Sequence, residues 1–180
     1  MIHRTLITSL VVPVVLACVH APLMLGTAHA DLAPPRIEPS HRPTDAVPGA
    51  VKLAMIALTK AIENRDEAAF KQHCDDRGYE TNLVGGSGGT VKGIFEQGAR
   101  KRWGLVRHGV GTRVTDKGII VPMDVKAFEG GKVLDQLFVL FISTDAGWRV
   151  LAAGENLAEV RALGQRFADG APLAPPEKAP

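Results

Sequence analysis

Between residues 47 and 63 apolar side chains fall at 51, 54, 55, 58, 61 and 62, the spacing of one wide helical stripe, so the pattern predicts a helix over Val47–Glu63. Pro48 suits its first turn, and Asn64 can take the left-handed conformation that ends a helix. Asp66 is a natural N-cap for a second, shorter helix over Glu67–Cys74. Ser87 or Thr90 starts a third over Val91–Arg102, which buries Ile94, Phe95 and Ala99. From Trp103 the period shortens to two. It predicts strands over Gly104–Thr115, Ile119–Phe128, Val133–Thr144 and Trp148–Gly154, joined at 116–118, 129–132 and 145–147 by segments in which glycine supplies positive φ. Glu155–Ala168 returns to helical spacing. The expected class is α+β: N-terminal helices on a curved, cone-like antiparallel meander, with a short C-terminal helix.

Register follows from the turns. A two-residue Gly130-Gly131 turn sets Glu129 opposite Lys132 and Lys126 opposite Asp135, two favourable charge pairs. The same register gathers Ile119, Val121, Met123 and Val125 with Gln136, Phe138, Leu140 and Ile142 on one face. A Lys117-Gly118 turn would add His108 and Thr112 to it. The opposite face then carries Ile120, Val139, Phe141 and Leu151. A sheet with two apolar faces needs a cover on each, so these four are the residues expected to mediate a homodimer.

Composition sets the limits. The 180 residues carry a formal charge of +2, and beyond Met1–Ala30 the balance is 20 basic to 19 acidic, which gives no electrostatic case for nucleic acid. Residues 1–30 read as an export signal: Arg4, an apolar run over Leu6–Ala17, then Ala28-His29-Ala30 as the cleavage site. Pro13, His20 and Pro22 interrupt the run, against a stable membrane span. The expected location is periplasmic or secreted; the alternatives are a lipoprotein anchored through Cys18, at the end of a lipobox, and an uncleaved anchor. Residues 31–48 hold five prolines and form a spacer. The domain is expected over 49–169 and a disordered tail over 170–180.

Little of the chemistry matches a motif. GGSGG at 85–89 lacks the Gly-Lys-Ser/Thr that ends a phosphate loop. His73 and Cys74, adjacent on a helix, point about 100° apart and cannot activate one another; Cys74 shares a face with Phe70 as a buried thiol. No metal or cofactor is predicted. Arg100-Lys101-Arg102 at a helix C-terminus complements the helix dipole.

The helix ALTKAIENRDEAAF at 57–70 and the hairpin FVLFISTDAGWRVLAAGE at 138–155 resemble the nuclear transport factor two-like superfamily, which includes ketosteroid isomerases and polyketide cyclases. The resemblance implies a ligand in the cone between helices and concave sheet, and a dimer through the outer face. His108, Gln136, Thr112, Tyr79, Trp103 and Phe138 are the candidate pocket residues. The family's catalytic acids have no match here, so a non-catalytic module binding a small apolar ligand or a partner is expected. The alternatives are a cofactor-free isomerase, cyclase or dehydratase with His108 as base, and a protein acting only through its outer face.

Overall fold

The computed structural model describes residues 47–85 and 89–174. The predicted export signal, Cys18, nearly all of the proline-rich spacer, the centre of GGSGG and the last six residues lie outside that range.

Four helices precede the sheet: α1 (Gly49–Asn64), α2 (Glu67–Lys71), α3 (Asp76–Tyr79) and α4 (Val91–Lys101). Five strands follow, β1 (Trp103–Arg107), β2 (Thr112–Thr115), β3 (Gly118–Ala127), β4 (Val133–Thr144) and β5 (Gly147–Gly154), and then α5 (Leu157–Ala168). The caps explain the starts. Asp66 accepts from the Ala69 amide, Thr90 from Gly93, and Asn156 from Ala158 and Glu159. At the end of α1 it is Arg65, not Asn64, that turns left-handed, at φ 58°. The helix expected over 67–74 stops at Lys71, because the chain from His73 to Asp75 pairs with β5 instead. Val150 donates to the His73 carbonyl and Asp75 donates to that of Val150.

The strands form one antiparallel sheet in the order β1-β3-β4-β5, with β2 also on β3. The chain itself meets part of each outer edge: segment 73–75 lies along β5 at Val150, and Thr59 of α1 hydrogen-bonds Leu105 of β1. Gly78 permits the close approach of α3, since a Cβ there would overlap the Leu151 carbonyl.

Register corrects the expected faces. Ile119 pairs with Phe141, Val121 with Val139 and Met123 with Leu137, one position away from the predicted pairing. The β3–β4 connection is longer than two residues, and a bulge between Val125 and Lys126 leaves Leu134 unpaired. Val139 and Phe141 therefore face inward with Ile119 and Val121, in a core with Val51, Leu58, Phe70, Tyr79 and Phe95. Ile120 and Leu151 face outward with Leu140 and Ile142 and are sealed by Val160 and Leu163 of α5, helped by Leu83 and Val84. Ile120, Val139, Phe141 and Leu151 are each no more than 1% exposed, so none is available as a dimer surface. The surplus apolar face finds its cover within the chain.

The strand expected over 104–115 is broken between Arg107 and Thr112. The tail expected from residue 170 begins with an ordered stretch. Gly170 turns left-handed at φ 68°, its amide donates to Phe167 and that of Ala171 to Arg166, and Leu173 packs on the outer core. Among the described residues no helix is long and apolar enough to cross a membrane.

Candidate functional site

The cone interior is filled by side chains: the Phe70 ring lies 5.2 Å from that of Phe95 and 6.5 Å from that of Tyr79. What remains open is a cleft of about 270 Å³ between α4 and the sheet. Helical spacing sets Gly93, Ile94, Gln97 and Lys101 on the α4 face that borders it, and the Thr90 cap fixes the first turn. Opposite stand Trp103 and Val125, with Leu134, Asp135 and Leu137 from β4 and Glu155 past β5. The bulge matters here, since it sets the unpaired Leu134, 49% exposed, at the rim beside Asp135. Ile94, Trp103, Val125 and Leu137 are all buried and make an apolar floor. Gln97, Lys101, Asp135 and Glu155 supply a polar rim with two carboxylates and one ammonium. An apolar floor with few polar groups at the mouth is the usual make-up of a small-molecule site.

A second cluster sits on the other face of the sheet. Asp124, 5% exposed, pairs with Gln136 in register, and its neighbour Val125 lines the cleft, so the carboxylate points away from it. Gln136 Nε2 donates to Asp124 Oδ1 at 3.1 Å. His108 Nδ1 lies 3.2 Å from the same oxygen, and Lys126 Nζ lies 3.6 Å from Oδ2. Burial works to raise the Asp124 pKa; the Gln136 hydrogen bond and the nearby charges of His108 and Lys126 outweigh it and hold the carboxyl below its ordinary value. The arrangement ties the break after β1 to the middle of the sheet, and it turns His108 Nδ1 inward while the ring stays half in solvent.

The six predicted pocket residues thus separate. Trp103 lines the cleft. His108 and Gln136 come together, through Asp124, on the opposite face. Thr112 is exposed on β2 opposite Ile120, and Phe138 packs against the outer core. Tyr79 is buried in the inner core, its hydroxyl donating to Glu67 at 3.0 Å. Burial together with that bond raises its pKa. Asp124 was the signal to follow: an acid inside the apolar run GIIVPMDVKA must find partners on folding.

Cys74 is 1% exposed, its thiol donating to the Phe70 carbonyl at 3.4 Å, and burial pushes its pKa up to about 12. Arg102, left-handed at the end of α4, donates to the Glu63 carbonyl and stacks on Phe128, so part of the basic run is structural. No protein-family model matches this chain, and no curated protein matches it.

Proposed function

We propose that this protein is an exported, non-catalytic module of the nuclear transport factor two-like superfamily that binds a small molecule in the cleft between α4 and the sheet. Helices followed by a curled antiparallel sheet support the family reading. The observation that carries the ligand reading is the cleft's make-up, an apolar floor around Trp103 beneath a rim richer in carboxylates than in cations. That rim favours a ligand with an apolar body and a cationic or hydrogen-bonding head. Export rests on the first thirty residues of the sequence.

The test is a two-dimensional amide NMR titration with tryptamine and, as the control of opposite charge, indole-3-acetate. Tryptamine should shift Ile94, Gln97, Leu137 and the Trp103 indole. Gln97→Trp, a change at an exposed position that fills the mouth, should abolish the shifts. Shifts elsewhere, or shifts indifferent to Gln97→Trp, would overturn the reading.

The enzymatic alternative draws on a different observation. Asp124 accepts from His108 Nδ1, which leaves Nε2 as a proton acceptor in the manner of an oriented general base. Any such chemistry belongs to the face opposite the cleft. Loss of turnover on a found substrate in His108→Ala, with folding intact, would establish it; unchanged turnover would remove it.

A further inference from the structure

Helix α4 carries two glycines, Gly93 and Gly98, and the fold accounts for one of them. A Cβ on Gly98 would come within 2.7 Å of Ile62 and 3.0 Å of the Trp103 carbonyl, so close packing requires that residue to be small. Gly93 has no such reason. Its φ is not positive, and a Cβ there would meet nothing nearer than Thr90 Oγ1 at 3.3 Å, the end of a side chain. The cap does not ask for glycine either. Gly93 stands three residues after Thr90, whose hydroxyl accepts from its amide, and a capping box holds glutamate or glutamine at that position. Glycine is also a poor helix former. A residue that goes against local preference with no gain in packing marks a place where something other than the fold sets the choice.

What Gly93 does supply is room. It heads the cleft-facing row of α4, with Gln97 and Lys101 four and eight residues on, so a side chain there would enter the cleft. In its place the ligand meets a strip of bare helix backbone, whose peptide planes are flat. The floor offers a second flat surface, the Trp103 indole, among Ile94, Val125 and Leu137. A planar ring can lie close to peptide planes and pair with an indole, whereas a puckered ring stands too far off to do either. At about 270 Å³ the cleft is smaller than the roughly 300–1,000 Å³ of drug-sized sites, which limits the ligand's body to one or two rings. Resting on the small-molecule reading of the cleft, we infer that Gly93 is its specificity-determining residue and selects a ligand whose apolar body is a planar aromatic ring.

The test follows tryptamine by amide NMR, and unfolding by heat, in the full-length protein and its glycine variants. Gly93→Ala should raise the unfolding midpoint by about 2–4 °C, because alanine is the better helix former. The same change should weaken tryptamine about fivefold or more, because its methyl occupies the ligand's space. Gly93→Gln, which completes the capping box, should be at least as stable as the native protein and should abolish the shifts. Gly98→Ala should lower the midpoint, marking the glycine that packing needs. Phenethylamine should bind roughly fivefold more tightly than 2-cyclohexylethylamine, although the saturated ring is the more apolar of the two. A lowered midpoint in Gly93→Ala, an unchanged tryptamine affinity in that variant, or equal binding of the two six-membered rings would each overturn the inference. The cleft would still stand as a small-molecule site if Gln97→Trp blocked tryptamine. Tryptamine that shifts no cleft residue of the native protein would overturn both.

Discussion

The Thr59 hydroxyl satisfies both outward backbone groups of Leu105 on the edge of β1: it donates to the Leu105 carbonyl at 2.6 Å and accepts from the Leu105 amide at 3.2 Å. A single side chain thereby stands in for a neighbouring strand. Thr59→Val, which keeps the shape and removes the hydroxyl, leaves both groups unmatched and should cost about 1–3 kcal/mol in denaturant unfolding. Thr59→Ser should recover most of it. A loss below about 0.5 kcal/mol in the valine variant would show that water replaces the hydroxyl there.

The outer face depends on α5. Leu163 is 2% exposed and sits over Ile120 and Leu140 in the outer core. Leu163→Ala should cost about 2–5 kcal/mol, with increased binding of an apolar dye. An exposed change on the same helix, Ala162→Ser, should stay within about 0.5 kcal/mol. If the two behaved alike in thermal melts, α5 would not be holding the sheet.

Cys74 should be inert in the native state. With a pKa of about 12, its thiolate fraction at pH 8 is on the order of 10⁻⁴, and the thiol has almost no access to solvent. Reaction with a disulfide reagent should run at the rate of unfolding and become immediate in denaturant. Fast native labelling would contradict the burial.

Stability should fall in acid through Asp124. Its folded-state pKa lies below the unfolded value, so the unfolded chain takes up the proton first. The contribution is complete above about pH 5 and drains away as pH drops through 4 toward the folded value. Unfolding midpoints of the native protein and Asp124→Asn, measured at pH 7, 5, 4 and 3, should converge as pH falls. Curves that stay parallel would assign the acid sensitivity to other carboxylates, Asp75 beside Arg77 among them.

The long helices and strands were legible because helical stripes and strand alternation are local signals, whereas the one-turn α3 and the break between β1 and β2 were not. Val133–Thr144 matches the observed β4 to the residue. Register was not legible, and the reason is physical. In β4 one alternation reads Phe138, Leu140, Ile142 and the other Leu137, Val139, Phe141; both faces are buried, so a one-residue slip costs the pattern nothing. The bulge at Leu134 decided between them, and no turn residue announces it. The same slip explains the site. His108 and Gln136 do meet, through Asp124, but on the face turned away from the cleft. Trp103 could be read as a lining residue because it opens β1. The rest of the cleft is assembled from α4, β3, β4 and the end of β5, whose distances in sequence carry no local trace.

The placement of α5 also governs when the molecule can be finished. By Gly154 every strand of the sheet exists, yet of the cover on Ile120, Leu140 and Ile142 only Leu83 and Val84 are in place until residues up to Leu163 are made. A chain growing from its N-terminus carries a complete sheet with one face only partly covered. A chain broken off in that interval keeps this apolar surface in water, so the last helix is the element that makes the outer face of the sheet inert.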